Sequence, residues 1–372
     1  MRRLVRSALV ACALLTVGWP GLPASAARPE APARRVVAVG DIHGDLDAFV
    51  AILRRANLID ADRKWTGGAT TLVQLGDMID RGPKSRAVMD FVMALQKDAR
   101  RQDGRVIVVL GNHEVMNMYG DLRYVTPGDY ASYADAKSQA RQEAAYDDYV
   151  KVYGTPAISR DEWLKAHPPG FVEQREAFGP AGSYGKWLRT LPVVARVDDS
   201  LFLHGGISPA LATWKLDKIN ETVAREIKTF DDTRQVMIDL KVALPFSTLP
   251  EVTSAARAVA TRRPDLVKDL VEMDTWLSVD ENGPLWFRGL AKDPDADMQP
   301  LAAQITASFG VSRVVIGHTT QTGKVVQRFD GKVYLIDTGM LKGYVEGGRA
   351  SALEIQDGHV RVIYPDSVET LK

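Results

Sequence analysis

Short apolar runs that stop at a glycine and a cluster of polar residues recur along this chain. VVAV (Val36–Val39) leads into GDIHG, TLVQL (71–75) into GDMIDRG, and VIVVL (106–110) into GNHE. Runs of this length, rich in β-branched residues, predict buried strands, and each glycine marks where the chain leaves a sheet. The stretches between them, LDAFVAILRRANLI (46–59) and SRAVMDFVMALQKDARRQ (85–102), carry apolar residues three and four apart and predict helices. Three strand–loop–helix units in succession predict an α/β domain with a partly parallel sheet, whose reactive groups gather beyond the carboxyl ends of the strands.

The rhythm breaks after the third unit. Residues 119–190 are polar and helical in character, and seven of the eleven tyrosines fall between Tyr119 and Tyr153. Such aromatics pack a helical segment more often than they line a cleft. Strand-like sequence returns at VVARVDDSLFLHGGIS (193–208), followed by a second helical stretch over about 209–279. The chain closes on RVVIGHTT (313–320), KVYLIDTG (332–339), SALEIQDG (351–358) and VRVIYP (360–365), spaced like an antiparallel sheet.

Before this domain, a basic start with Arg2, Arg3 and Arg6 precedes an apolar stretch too short to span a bilayer, and Ala-Ser-Ala ends at Ala26. Residues 1–26 therefore predict a cleaved export signal, 27–35 a Pro/Ala-rich tether, and 36–372 the folded domain. The expected location is the periplasm or the medium, with no stable membrane insertion after cleavage. The only cysteine, Cys12, lies inside the signal, so the mature chain would have neither a disulfide nor a thiolate nucleophile. A formal charge of zero argues against nucleic acid as a partner. Nothing indicates the oligomeric state.

Five strand-end loops hold the unusual chemistry: Asp41 and His43; Asp77, Asp80 and Arg81; Asn112 and His113; His204; and His318. Four of the six histidines lie in them, whereas His167 and His359 fall in stretches that read as solvated turns. Taken singly, Asp41, Asp77 and Asp80 each read better as helix caps. Taken together, carboxylates, imidazoles and an amide oxygen suit divalent first-row metals. Six such groups exceed what one catalytic metal uses, and they suit two cations sharing Asp77 at the ~3.5–4 Å spacing of two-metal hydrolysis.

In order and number, D-x-H-G, G-D-x-x-D-R-G, G-N-H-E, H-G-G and G-H-T resemble the signature of the phosphoprotein phosphatase family of calcineurin-like metallophosphoesterases. PLWFRG (284–289) and DTGM (337–340) are most similar to its Shewanella-like branch. The resemblance implies a two-sheet β sandwich flanked by helices, with the helical insertions as a cap. By that resemblance Asp41, His43 and Asp77 hold one metal, and Asp77, Asn112, His204 and His318 hold the second. Manganese is the expected ion, with iron or zinc as alternatives. Arg81 and Arg288 would grip the phosphate through planar guanidinium forks. A water activated between the cations would attack phosphorus in line, with His113 as general acid and Asp80 orienting it.

The expected activity is hydrolysis of phosphate monoesters on a phosphoprotein or phosphopeptide, either phosphotyrosine or phosphoserine/threonine. The alternatives are a small-molecule or nucleotide phosphatase or pyrophosphohydrolase and, in a different class, a non-catalytic phosphoprotein-binding module. Asp337 is expected to fix a loop beside the site and Tyr344 to approach it.

Overall fold

The computed structural model describes residues 35–371. The expected signal and all but the last residue of the expected tether lie outside them. Strands β1 (Val36–Val39), β2 (Thr71–Gln74) and β3 (Arg105–Val108) pair in parallel, with Val36 opposite Thr71 and Thr71 opposite Arg105. The helices α1 (Leu46–Arg55) and α2 (Ser85–Arg100) join them, as the spacing predicts. Asp45 caps α1 by accepting the Ala48 N–H at 3.0 Å, which leaves Asp41 free of that role.

The later strands are β4 (Val194–Val197), β5 (Ser200–Leu203), β6 (Arg313–Ile316), β7 (Val326–Arg328), β8 (Val333–Leu335), β9 (Ala352–Gln356), β10 (His359–Ile363) and β11 (Val368–Leu371). One sheet runs β11-β10-β9-β1-β2-β3 and the other β4-β5-β6-β8-β7. The expected antiparallel C-terminal sheet needs correction. β9, β10 and β11 are antiparallel, but they extend the first sheet from β1. β6 instead lies parallel to both β5 and β8 in the second sheet, because the intervening β7 carries the chain back and lets β8 restart in the same direction.

The alternation of the strands explains the sandwich. Val36 and Ala38 of β1, Val73 of β2, Phe202 of β5 and Val315 of β6 share one apolar cluster between the sheets. Their neighbours Val37, Val39, Leu72, Leu201, Leu203, Val314 and Ile316 pack into a second cluster with helical residues such as Phe49, Ile52, Val88 and Val92. With both faces covered, the central strands must be apolar throughout, which is why they read as continuous runs. The two helical stretches form where expected, and their longest helices are Ser138–Tyr153 and Leu216–Asp239. Tyr130 and Tyr133 are buried, and Tyr146 and Tyr149 pack against Trp163. Among the described residues no helix is long and apolar enough to cross a membrane.

Candidate active site

β1, β2 and β3 point the same way, and so do β5, β6 and β8, so their carboxyl ends lie along common edges. The loops leaving those ends bring Asp41, His43, Asp77, Asp80, Asn112, His113, His204 and His318 together, all of them buried. Asp41 and His43, two residues apart, are not brought together by extended backbone, which would project both side chains to one side. His43 has φ +48°, and the Ile42 and His43 N–H groups both donate to Asp77 O, so the loop is pinned in a turn. Asp77, Asp80, Arg81 and His318 also have positive φ, at 51°, 67°, 66° and 64°. Such backbone costs ~1–3 kcal/mol per residue and persists where surrounding contacts over-determine it.

Those contacts are visible. Glu114, to which the sequence assigned no role, accepts the N–H groups of Asp77 and Met78 at 2.8 Å and of Gly111 at 2.9 Å. It ties the loop after β2 to helix α3 (Asn112–Tyr119). Gly76, at φ +84°, passes so close to Gly111 that a Cβ at either position would collide with the other loop.

Asp77 stands at the centre. Its Oδ2 lies 3.3 Å from His204 Nε2, 3.7 Å from His113 Nε2 and 3.8 Å from His43 Nε2. His204 Nε2 is also 2.9 Å from Asn112 Oδ1 and 3.1 Å from His318 Nδ1. Backbone carbonyls set the imidazole orientations: His43 Nδ1 donates to Ile79 O at 3.0 Å, and His204 Nδ1 to Leu75 O at 2.8 Å. The opposite nitrogen of each ring is thereby turned towards Asp77. Two groups of three follow, each compact enough to hold a metal ion: His43, Asp77 and His113; and Asp77, His204 and His318. Asp41 stands slightly apart, 3.9 Å from His43 Nε2, with its Oδ1 accepting the His318 N–H at 3.1 Å.

The donor set fits cations. Burial, His204 and Arg288 hold the His318 imidazole well below its ordinary pKa, so it is neutral, and its Nε2 has no hydrogen-bond partner. Burial likewise lowers His43 to about 3, against the pull of Asp77. Two neutral imidazoles, His43 and His318, thus converge with carboxylates and an amide oxygen, a donor set that suits divalent ions.

His113 differs from the rest. Its Nδ1 bonds Asp80 Oδ2 at 2.7 Å, and its ring faces a cleft of about 110 Å³. Burial alone would lower its pKa, but Asp77 and the Asp80 hydrogen bond together raise it. The cleft is also lined by Arg81, Arg288, Tyr124, Trp286, Thr320 and Tyr344. Arg81 lies over the rings of Tyr344 and Tyr124, at 4.5 and 5.1 Å from their centroids, and bonds the Tyr344 hydroxyl. Arg288 donates to His318 O at 2.8 Å. Asp337 does fix the adjoining loop, accepting Thr320 Oγ1 at 2.6 Å and the Gly339 N–H at 3.0 Å.

His167 is not a solvated turn residue; it stacks on Trp163 at 4.0 Å. His359 is exposed, as expected. A larger groove of about 940 Å³ beside Tyr149 and Arg262 contains none of the sequence-predicted residues.

The model of calcineurin-like phosphoesterases matches residues 34–321, which include every one of the converging side chains. The chain belongs to this family. As a calcineurin-like phosphoesterase it has relatives in the Shewanella-like branch that its motifs resemble. Shewanella-like protein phosphatase 2 of Arabidopsis thaliana is 28% identical over 340 residues, covering 88% of this chain and 77% of its own. An uncharacterized fission yeast protein, from Schizosaccharomyces pombe, is 29% identical over 345 residues, covering 90% and 82%. The crystal structure of a cold-active protein-tyrosine phosphatase from a psychrophilic Shewanella superposes with a TM-score of 0.60 at 26% identity, covering 91% of this phosphoesterase and 81% of that chain.

Proposed function

We propose that this phosphoesterase hydrolyses phosphate monoesters on proteins, and phosphotyrosine in preference to phosphoserine or phosphothreonine. The observation that carries the reading is His113, backed by Asp80 and facing a cleft lined by Arg81 and Arg288, with Asp77 beside it shared between His43 and the His204–His318 cluster. A non-catalytic binding module would have no use for a buried, carboxylate-backed imidazole facing the cleft.

In this reading Asp41, His43 and Asp77 hold one divalent cation, and Asp77, Asn112, His204 and His318 hold a second, with manganese the proposed ion. When bound, the pair would activate water and neutralise charge on the phosphoryl oxygens. Arg81 and Arg288 clamp the phosphate from two sides, and the charge that develops in the transition state falls between them. His113 holds a proton at Nε2 and passes it to the departing oxygen. Asp80 keeps Nδ1 protonated and stabilises the imidazolium beforehand. Tyr124, Tyr344 and Trp286 line the cleft, and aromatic walls suit an aromatic leaving group.

The test is a comparison of phosphotyrosine peptides, phosphoserine peptides and dinucleotides with the metal-loaded mature protein. A higher kcat/KM for dinucleotides than for either peptide would overturn the protein-phosphatase reading. We also propose export, with the signal removed after Ala26. N-terminal sequencing of protein recovered from periplasmic extract or medium, reading from Ala27, checks it.

A further inference from the structure

Asp80 is held from two sides. His113 Nδ1 approaches one of its oxygens, and Asn117 Nδ2 lies 3.0 Å from both Oδ1 and Oδ2. The same amide nitrogen is 3.0 Å from His113 O, one helical turn back. Asn117 follows His113 by four residues on α3, so the two side chains share a face of the helix. A carboxylate only accepts hydrogen bonds, so the Asn117 NH₂ must face Asp80 and its Oδ1 must point away.

The oxygen is met by Gln174 Nε2 at 2.7 Å, from the helix Phe171–Phe178 of the first insertion. The next residue, Arg175, donates to the Asn117 backbone carbonyl. Asn117, Gln174 and Arg175 are each about 1% exposed, and no carboxylate lies within ion-pair distance of Arg175 among the described residues. Gln174 Oε1 has no hydrogen-bond partner. Two consecutive residues of the insertion thus clamp one asparagine, one by its side chain and the other by its main chain.

We propose that Asn117 and Gln174 are positioning residues for proton delivery, with Gln174 fixing the amide of Asn117, Asn117 fixing the carboxylate of Asp80, and Asp80 orienting His113. The inference rests on His113 being the general acid of the proposed phosphatase reaction. It gives the first helical insertion a part in the chemistry besides covering the core. With the Asn117 donor gone, Asp80 keeps its bond to His113 but loses the contacts that hold its plane. The imidazole then meets the leaving oxygen in poorer alignment. Phosphate binding is untouched, since neither residue faces the cleft.

The experiment measures kcat and KM for a series of aryl and alkyl phosphate monoesters of rising leaving-group pKa. It compares wild type with Asn117→Leu, Gln174→Leu and the double variant. A good leaving group such as p-nitrophenolate needs little protonation and an alkoxide needs much. Asn117→Leu is expected to lower kcat roughly tenfold to a hundredfold for poor leaving groups, the range for a lost hydrogen bond to a charged group. It should barely change p-nitrophenyl phosphate turnover or any KM. Gln174→Leu should give a smaller effect of the same kind, and the double variant should match Asn117→Leu, because Gln174 acts through Asn117.

Gln174→Glu keeps the shape but sets an acceptor against Asn117 Oδ1. It supplies the same signature should Asn117→Leu fail to fold. An equal loss on every substrate, or additive losses in the double variant, would overturn the relay while leaving the phosphatase reading intact. Wild-type protein inactive on every monoester would instead sink the reading beneath it, and the relay with it.

Discussion

The backbone N–H of His113 donates to Asp77 Oδ1 at 3.1 Å. The carboxylate at the centre of both imidazole clusters is therefore also an anchor for the first turn of α3. Replacing Asp77 therefore removes one anchor of the helix that carries the imidazole facing the cleft. His113, by contrast, can lose its ring without disturbing that anchor.

This asymmetry separates two variants. His113→Ala is expected to lower kcat by ~10²–10⁴-fold, the usual contribution of a positioned general acid, with metal content close to wild type. Asp77→Ala is expected to lose bound metal and to stay inactive in excess divalent ion. Elemental analysis beside steady-state kinetics checks both, and full turnover with full metal in both variants would refute the roles.

Metal removal should expose a pH dependence of stability. In the metal-free chain burial acts to lower the pKa of His204, but Asp77 and Asp41 outweigh it and raise it from 6.5 to about 9. A group whose pKa is raised by folding contributes stability that is complete below its unfolded pKa and lost as pH rises through its folded one. The contribution from His204 should thus decline between pH 6.5 and about 9. A bound cation needs the Nε2 lone pair, so saturating manganese should remove that slope and raise Tm throughout. Thermal melts across this window, with chelator and with manganese, measure it.

Glu114→Ala would strip the partner from the N–H groups of Asp77, Met78 and Gly111 together. Each buried N–H left unpaired costs ~1–3 kcal/mol, so a loss of roughly 3 kcal/mol or more is expected from urea denaturation. Glu114→Gln keeps one acceptor oxygen and should fall between the two. A variant as stable as wild type would show that the loop after β2 is held by something else.

The Tyr344 hydroxyl accepts a hydrogen bond from the Arg81 guanidinium. Tyr344→Phe removes that competing hydroxyl and should tighten inhibition by inorganic phosphate roughly two- to tenfold, the worth of one ordinary hydrogen bond. Weaker phosphate inhibition in this variant would mean that the hydroxyl itself contacts the anion.

Several misses have simple physical causes. Strand β7 is a three-residue segment in which none of the residues is fully buried, so it carries no alternation to detect. The direction of β8 depended on β7 and was lost with it. Glu114 ends the G-N-H-E motif with no role that the sequence assigns, and Asn117 lies three residues beyond it; only their places on the helix aim them at the neighbouring loop and at the face of His113. Gln174 had no such signal, because it meets Asn117 from 57 residues further along.

What the chain determined by itself was local: apolar runs that must be strands, glycines that end them, and residue types fit for metal and phosphate. Those properties follow from neighbours a few residues apart. Which strands lie side by side, which imidazole nitrogen faces Asp77, and which insertion helix reaches Asp80 were decided only in the folded molecule. These are contacts between segments dozens to hundreds of residues apart, set by packing two sheets and their helices around one core, and no local pattern encodes them.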